Sequence, residues 1–302
     1  MTEIILLDGG IGQEIVQRAG DKPTPLWSTQ AMIDHPGVVA DVHRAYFDAG
    51  ATVATTNTYP ILRDRLVRFD MEDQFLTLLD AAVSEAKSAR SAHPIAAKTA
   101  RIAGAIGPLG ASYRPDLLPP HDQAVPLFHE VAAHLAPSVD ILICETVSSL
   151  AHARAVLEGA SGLGRPVWLS VSVSDDDGTM LRSGEALSDL GPLLKDTRPA
   201  AVLANCSVPE VMADALAILK GFGLPFGAYA NGFRRISKAF LEEAPTVDAL
   251  EARNDLGPSE YADFAMHWVD MGATIVGGCC ETGPAHIAEI ARRLDRAGFQ
   301  IV

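Results

Sequence analysis

The amino-acid sequence predicts an α/β protein of the closed (β/α)8 TIM-barrel class, a single domain over residues 1–302. Three observations carry that expectation. Eight short β-rich runs recur along the chain. Segments of helical periodicity separate them, the pattern of repeated βα units on a parallel sheet. No repeat, low-complexity tract or linker divides the 302 residues, a length that suits one α/β barrel. An open, doubly wound sheet of eight strands shares these features and stays open as the alternative.

The first run is Ile4 to Asp8, ending in Asp8-Gly9-Gly10. The connection Gly9 to Pro36 is long for a barrel, and long ordered loops are usually functional. Its glycines do not reproduce GxGxxG, so they read as a tight turn opening a short helix rather than a dinucleotide cradle. A helix over Val38 to Asp48 leads to the second run, Thr52 to Thr56, which continues into Asn57-Thr58-Tyr59. Between Glu72 and Arg90, Phe75, Leu78, Leu79, Ala82, Val83 and Ala86 recur at helical spacing, one apolar face against one wet face. The third run, Ile102 to Ile106, ends in Gly107-Pro108. A helix over Val125 to Leu135 precedes the fourth, Ile141 to Glu145, and a helix over Leu150 to Leu157 precedes the fifth, Val167 to Val173. Asp175-Asp176-Asp177-Gly178 lacks the rest of a calcium loop and reads as a solvated turn. The sixth run, Ala201 to Ala204, opens into Asn205-Cys206-Ser207, with a helix over Glu210 to Lys220 behind it. The seventh, Phe226 to Tyr229, precedes Asn231 and a second long connection, Asn231 to Pro258. A helix over Tyr261 to Met271 leads to Thr274 to Val276, the eighth run, which enters Gly277-Gly278-Cys279-Cys280-Glu281. Pro284 opens the last helix, through Leu294.

Composition excludes several functions. Hydrophobic residues make up 48% and charged residues 21%, values of a globular chain with a core. A formal net charge of −14 disfavours nucleic acid and anionic membrane surfaces as partners. Apolar stretches fall short of a membrane span, and Met1-Thr2-Glu3 starts with an acid where a secretory leader carries bases. The expectation is a cytoplasmic protein acting on small molecules, its oligomeric state unspecified.

Four cysteines are too few for a disulfide framework. In a barrel, Cys206, Cys279 and Cys280 meet at the carboxyl ends of strands six to eight, where catalytic residues gather. Three soft ligands with an open fourth position suit a catalytic Zn2+. Gly277-Gly278 should let the vicinal pair bend onto one ion by close approach and unusual φ. Cys144 reads as a small buried hydrophobe. The nine histidines show no HxH or HExxH arrangement, and none is assigned to the metal.

Leu7-Asp8-Gly9-Gly10 with Gly12, Thr56-Asn57-Thr58-Tyr59, Ile106-Gly107-Pro108, Glu145-Thr146, Asn205-Cys206-Ser207 and Gly277-Gly278-Cys279-Cys280 together resemble the homocysteine S-methyltransferase family over nearly the whole chain. The resemblance implies a barrel in which Cys206, Cys279 and Cys280 hold zinc, and in which homocysteine and a methyl donor are the substrates. It implies that Asp8 and Glu145 bind the homocysteine ammonium, that backbone N–H groups around Gly9 receive its carboxylate, and that Tyr59 or Asn231 fills the fourth zinc position before substrate arrives. Donors of this kind are sulfonium or ammonium cations, which Trp27, Tyr59 and Phe233 could face; Tyr113 reads as cover for the barrel end. The stretches Gly10-Ile11-Gly12-Gln13-Glu14 and Asn231-Gly232-Phe233 depart from the commoner family pattern. Without the extensions and modules of other branches, S-methylmethionine is the favoured donor. A zinc-dependent barrel hydrolase or lyase using the same rim, with Glu145 or Asp8 as base, is the alternative.

Overall fold

The structure, a computed structural model of the chain, describes residues 2–20, 24–234 and 253–302. Eight parallel strands, β1 (Glu3–Leu6), β2 (Val53–Thr55), β3 (Arg101–Ile106), β4 (Ile141–Val147), β5 (Val167–Val171), β6 (Ala201–Asn205), β7 (Phe226–Ala230) and β8 (Ile275–Gly278), lie side by side in sequence order. The ring closes where β8 pairs with β1, and β1 meets β2 at the Leu7–Val53 bridge. There Thr52 N–H donates to the Leu6 carbonyl at 2.8 Å and Asp8 N–H to the Val53 carbonyl at 3.2 Å. The sheet is thus the expected barrel and not the open alternative. One more strand, β9 (Gln300–Ile301), pairs with the outer end of β1. Two residues at a chain end carry no periodicity from which it could have been read.

Twelve helices are described: α1 (Ile11–Ala19), α2 (Ser28–Asp34), α3 (Val38–Asp48), α4 (Arg63–Leu66), α5 (Phe75–Ala92), α6 (Ala96–Thr99), α7 (His121–Leu135), α8 (Leu150–Ala160), α9 (Leu190–Thr197), α10 (Met212–Lys220), α11 (Pro258–Asp270) and α12 (Pro284–Arg296). The expected loop from Gly9 to Pro36 is mostly helical, holding α1 and α2, with residues 21–23 outside the described residues. Of the second long connection, residues 235–252 lie outside the described residues. The helix α9 was not expected, because Gly191 and Pro192 interrupt its pattern. No described helix is long and apolar enough to cross a membrane.

Strand parity positions the site. Side chains alternate across a strand, so one parity fills the barrel and the other packs under the helices. Inside lie Leu7, Val53, Ala103, Ala105, Ile141, Ile143, Trp168, Ala201, Leu203, Tyr229 and Ile275. On β4 the inward sequence Ile141, Ile143 places Glu145 next, at the top of the barrel, whereas Leu142 and Cys144 join the outer core. Cys144 is fully buried there, and burial raises its thiol far above the usual value, as an inert packing residue requires. The same parity continues Ala201 and Leu203 into Asn205, and Ile275 into Gly277 and Cys279.

Candidate active site

A cavity of about 510 Å3 opens over the carboxyl ends of the strands. Its wall includes Asp8, Gly9, Tyr59, Glu145, Cys206, Cys279 and Cys280, seven of the eight residues expected at the site. Asn231 is the exception: it is buried outside that wall, its backbone N–H on the Ser207 carbonyl at 2.9 Å and its Oδ1 without a partner among the described residues.

The three cysteine sulfurs lie within 4.8 Å of one another, and among the described residues they are the one group of three or more such side chains able to hold a metal ion. Sulfurs at about 2.3 Å from a tetrahedral zinc stand about 3.8 Å apart, so the trio fits with small adjustments. All four cysteines are free. Burial pushes the Cys206 thiol up, yet hydrogen bonds from Cys279, Cys280, Thr146 and Tyr113 outweigh it and hold Cys206 well below the usual thiol value. Cys279 and Cys280 are raised in turn, chiefly by their hydrogen bonds with Cys206. The cluster therefore already stabilises one anionic sulfur, which is what a soft cation needs.

The backbone that brings these sulfurs together is strained in places where no glycine stands. Cys206 has φ 51°, Thr146 56°, Tyr113 63°, Trp27 51° and Glu281 61°, all in the left-handed region. Such residues persist where their surroundings over-determine them, typically at functional sites. The expected unusual φ at Gly277 and Gly278 is absent; the bend of the vicinal pair falls on Glu281. The glycines serve close approach instead, since a Cβ on Gly278 would stand 2.0 Å from Thr282 Oγ1, and that hydroxyl donates to the Cys279 carbonyl at 2.6 Å.

Two carboxyls flank the sulfurs. Asp8 is buried and accepts from Thr55 N–H and Thr55 Oγ1, both at 2.7 Å. Burial nevertheless raises it to about 7. Glu145 takes the Tyr229 hydroxyl at 2.8 Å, and burial together with the nearby Cys206 raises it to about 8. Both sit poised for a cationic partner that would restore their charge.

The aromatic expectations are partly corrected. Phe233 is 1% exposed and lies outside the cavity wall, packed into the protein rather than facing the site. Tyr59 lines the cavity, but its hydroxyl is paired with Ser112 Oγ at 2.7 Å and one ring face carries Arg65, 5.4 Å from the centroid. Tyr113, read as barrel cover, also bonds Cys206 and stacks under Arg182 at 4.9 Å. Trp27 lines the cavity, edge-on to Tyr59, with Gly12 leaving room for its ring.

The sequence model of the homocysteine S-methyltransferase family matches residues 5–294. The chain belongs to that family. It is 29% identical to the homocysteine S-methyltransferase of Escherichia coli strain K12, over 96% of this chain and 95% of that one. It is 27% identical to the homocysteine S-methyltransferase YbgG of Bacillus subtilis strain 168, over 95% and 93%. The metallated form of the homocysteine methyltransferase MmuM from Escherichia coli superposes with a TM-score of 0.81 at 27% identity, covering 96% of each chain. The apo form of MmuM gives 0.71 at 28% identity, covering 96% of this chain and 95% of that one.

In this family member, three supporting groups escaped the sequence reading. Asn205, noted only as part of a motif, clamps the strained Thr146: its Oδ1 accepts the Thr146 N–H at 3.1 Å and its Nδ2 donates to Thr146 Oγ1 at 3.2 Å. Asp175, expected in a solvated turn, forms a part-buried pair with Arg182 at 2.8 Å. Arg182 also donates to the Cys206 carbonyl at 3.0 Å, and Asp175 accepts the Val208 N–H at 3.1 Å, so the pair brackets the Cys206 turn from both sides. Gln13 accepts the Glu281 N–H and donates to Glu281 Oε1, both at 2.6 Å, pinning the bend after the vicinal cysteines. Strand-end position and a shared loop were the available signals for Asn205 and Asp175. Nothing in the sequence pairs Gln13 with a residue 268 positions away.

Proposed function

We propose that the chain acts as a single catalytic barrel, residues 1–302, transferring a methyl group from a sulfonium or ammonium donor to L-homocysteine to give methionine, with zinc held by Cys206, Cys279 and Cys280. One observation carries the reading: a three-sulfur ion site and two carboxyls raised by burial share the wall of one cavity. A thiol substrate bearing an ammonium matches both halves.

When bound, zinc supplies the Lewis acidity that brings the homocysteine thiol to its thiolate at neutral pH. Asp8 and Glu145 take the ammonium, each regaining its charge as it does so. The substrate carboxylate goes to the start of α1, where Gly10 is the N-cap without a side-chain bond and the Gly9 N–H has no acceptor among the described residues. A helix N-terminus favours an anion through its free N–H groups and its dipole. Tyr59 or Asn231 would occupy the fourth zinc position before substrate; the orphaned Oδ1 of Asn231 supports that residue, and the Ser112 bond engages the hydroxyl of Tyr59. Trp27 and Tyr59 wall the donor side, keeping water out of a transfer that neutralises a cation and a thiolate. The methyl carbon leaves the donor with its bonding pair left behind, and the homocysteine sulfur supplies the new pair in line. S-methylmethionine, an amino-acid-sized sulfonium, is the favoured donor. We place the reaction in the cytoplasm, where reducing conditions keep clustered thiols free.

The test supplies metal-loaded protein with L-homocysteine and a panel of S-methylmethionine, S-adenosylmethionine, betaine, dimethylsulfoniopropionate and methylated folate, reading methionine by mass and zinc by atomic absorption. The expected result is methionine from an onium donor at about one zinc per chain. Full activity after metal removal, or no methionine with any donor, overturns the reading.

A further inference from the structure

The chain bends sharply immediately after Cys280, and the residue that makes the bend has none of glycine's freedom. Glu281 sits at φ 61°, a conformation that an L-residue keeps only where its surroundings hold it. What holds it comes from the other end of the chain. Gln13, on the first turn of α1 and in a stretch that departs from the commoner family pattern, accepts the Glu281 N–H with its Oε1 and donates from Nε2 to Glu281 Oε1, both at 2.6 Å. Both arms of one amide are thus committed to one residue. Around this pair the start of α1 lies backbone to backbone on the cysteine turn. Gly10 N–H donates to the Thr282 carbonyl at 2.8 Å, and a Cβ on Gly10 would stand 2.7 Å from the Cys279 carbonyl oxygen and 3.3 Å from the Cys280 Cα. The far side is fixed as well, the Cys280 carbonyl accepting the Gly232 N–H at 2.7 Å. No step of the methyl-transfer reading uses Gln13, although it shares the cavity wall with Cys279 and Cys280.

We infer that Gln13 is a positioning residue for the metal ligands: it clamps the bend at Glu281 and so keeps the Cys279 and Cys280 sulfurs turned toward Cys206. The inference rests on the methyl-transfer reading only for what the sulfurs hold, and it adds a residue that acts on the ion through the backbone. Thr282 is anchored on Gly10 and on the Cys279 carbonyl, so relaxation of Glu281 toward negative φ swings the Cys280–Glu281 peptide and carries Cys280 with it. A tetrahedral ion tolerates little misplacement of its ligands. The Gln13–Glu281 pair is exposed, so as an isolated contact it is weak. Its leverage comes from fixing a strained torsion one residue from a ligand, and supporting partners of metal ligands govern affinity by roughly 10- to 100-fold.

The experiment exchanges the two polar groups. Gln13→Glu keeps an acceptor for the Glu281 N–H but sets two carboxylates against each other. Gln13→Glu combined with Glu281→Gln restores the pair at the wild-type net charge, the amide now donating from position 281. Zinc affinity of substrate-free protein is measured at pH 8 by chelator competition, and the thiolate-to-metal absorption of the Co2+-loaded forms reports the ligand geometry. Gln13→Glu should weaken zinc by at least about tenfold and alter the Co2+ spectrum, although an added negative charge would by itself favour a cation. Gln13→Ala should weaken zinc as well, and the double variant should recover to within about threefold of wild type with the wild-type spectrum. Wild-type affinity in both single variants overturns the inference. So does a double variant that stays as weak as Gln13→Glu, which would mark Gln13 as part of the packing of α1. If Gln13→Glu does not fold, Gln13→Ala set against the double variant makes the same comparison. Loss and recovery of zinc with no methionine formed from any donor would uphold the clamp and defeat the methyl-transfer reading instead.

Discussion

Replacing Asp8 by asparagine should stabilise the protein at pH 8 far more than at pH 5, while weakening homocysteine binding. The carboxyl is 2% exposed, and burial lifts its pKa from 3.8 to about 7 against the pull of two Thr55 hydrogen bonds. Below the unfolded value both states carry the proton and the group is neutral in stability. As pH rises past it, the unfolded chain ionises first, and the folded state loses relative stability until its own carboxyl ionises near pH 7. The gap of about 3 in pKa corresponds to a cost of about 4 kcal/mol at pH 8 and under about 2 kcal/mol at pH 5. Asparagine never ionises, and it keeps both contacts: its carbonyl accepts the Thr55 N–H, and its amide donates to the Thr55 hydroxyl, which reverses its role. For a chain of 302 residues, unfolding entropy makes the widening between the two pH values about 4 °C in Tm. The assay is thermal unfolding of zinc-loaded, homocysteine-free wild-type and Asp8→Asn protein at both pH values, so that metal release at low pH affects both alike. A difference that stays constant with pH, or a variant less stable at pH 8, refutes the reasoning.

Other expectations follow from the same geometry. Glu145, raised to about 8, ionises as pH climbs from 6 to 9, so the homocysteine KM should fall over that range; Glu145→Gln should raise the KM and flatten its pH profile, and an unchanged profile counts against the ammonium role. Cys206→Ala should reduce zinc from about one per chain to near none together with turnover; retained turnover removes the ion from the chemistry. Arg182→Gln should weaken zinc by roughly 10- to 100-fold in chelator competition, with Arg182→Lys milder, because it frees the Cys206 carbonyl; wild-type affinity would leave the arginine a purely architectural part. Gly278→Ala should cost about 1–3 kcal/mol in urea unfolding, given a new Cβ 2.0 Å from Thr282 Oγ1; a neutral result would mean that this turn can yield.

The barrel was legible because βα units announce themselves by alternating periodicity, and because strand parity then decides what reaches the rim. Glu145 and Cys279 rise into the cavity as continuations of inward-facing rows. Convergence of the sulfurs could be read from strand order alone. What escaped depends on backbone torsion and on distant pairing. A cysteine, threonine, tyrosine, tryptophan or glutamate gives no sign in one-dimensional pattern that it will adopt positive φ, as glycine would. The Asp175–Arg182 bracket and the Gln13–Glu281 clamp are made by polar loop residues whose partners are fixed only after the barrel closes. Phe233 was misassigned for a related reason: an aromatic beside a strand end faces the cavity or the core according to a turn that composition does not specify.

Of the seven non-glycine residues with positive φ among the described residues, Asp70 and Arg198 merely finish short helices, and the other five ring the barrel's mouth. Conformations of that sort cost of order 1–3 kcal/mol apiece, so the rim is a reservoir of instability supported by the rest of the molecule. Anyone engineering this barrel for heat tolerance would find the cheapest gains there, by easing Thr146 or Cys206 with glycine, and would forfeit the aim of the side chains in obtaining them. Ruggedness is better sought on the outward helical surface, where the backbone is already at rest.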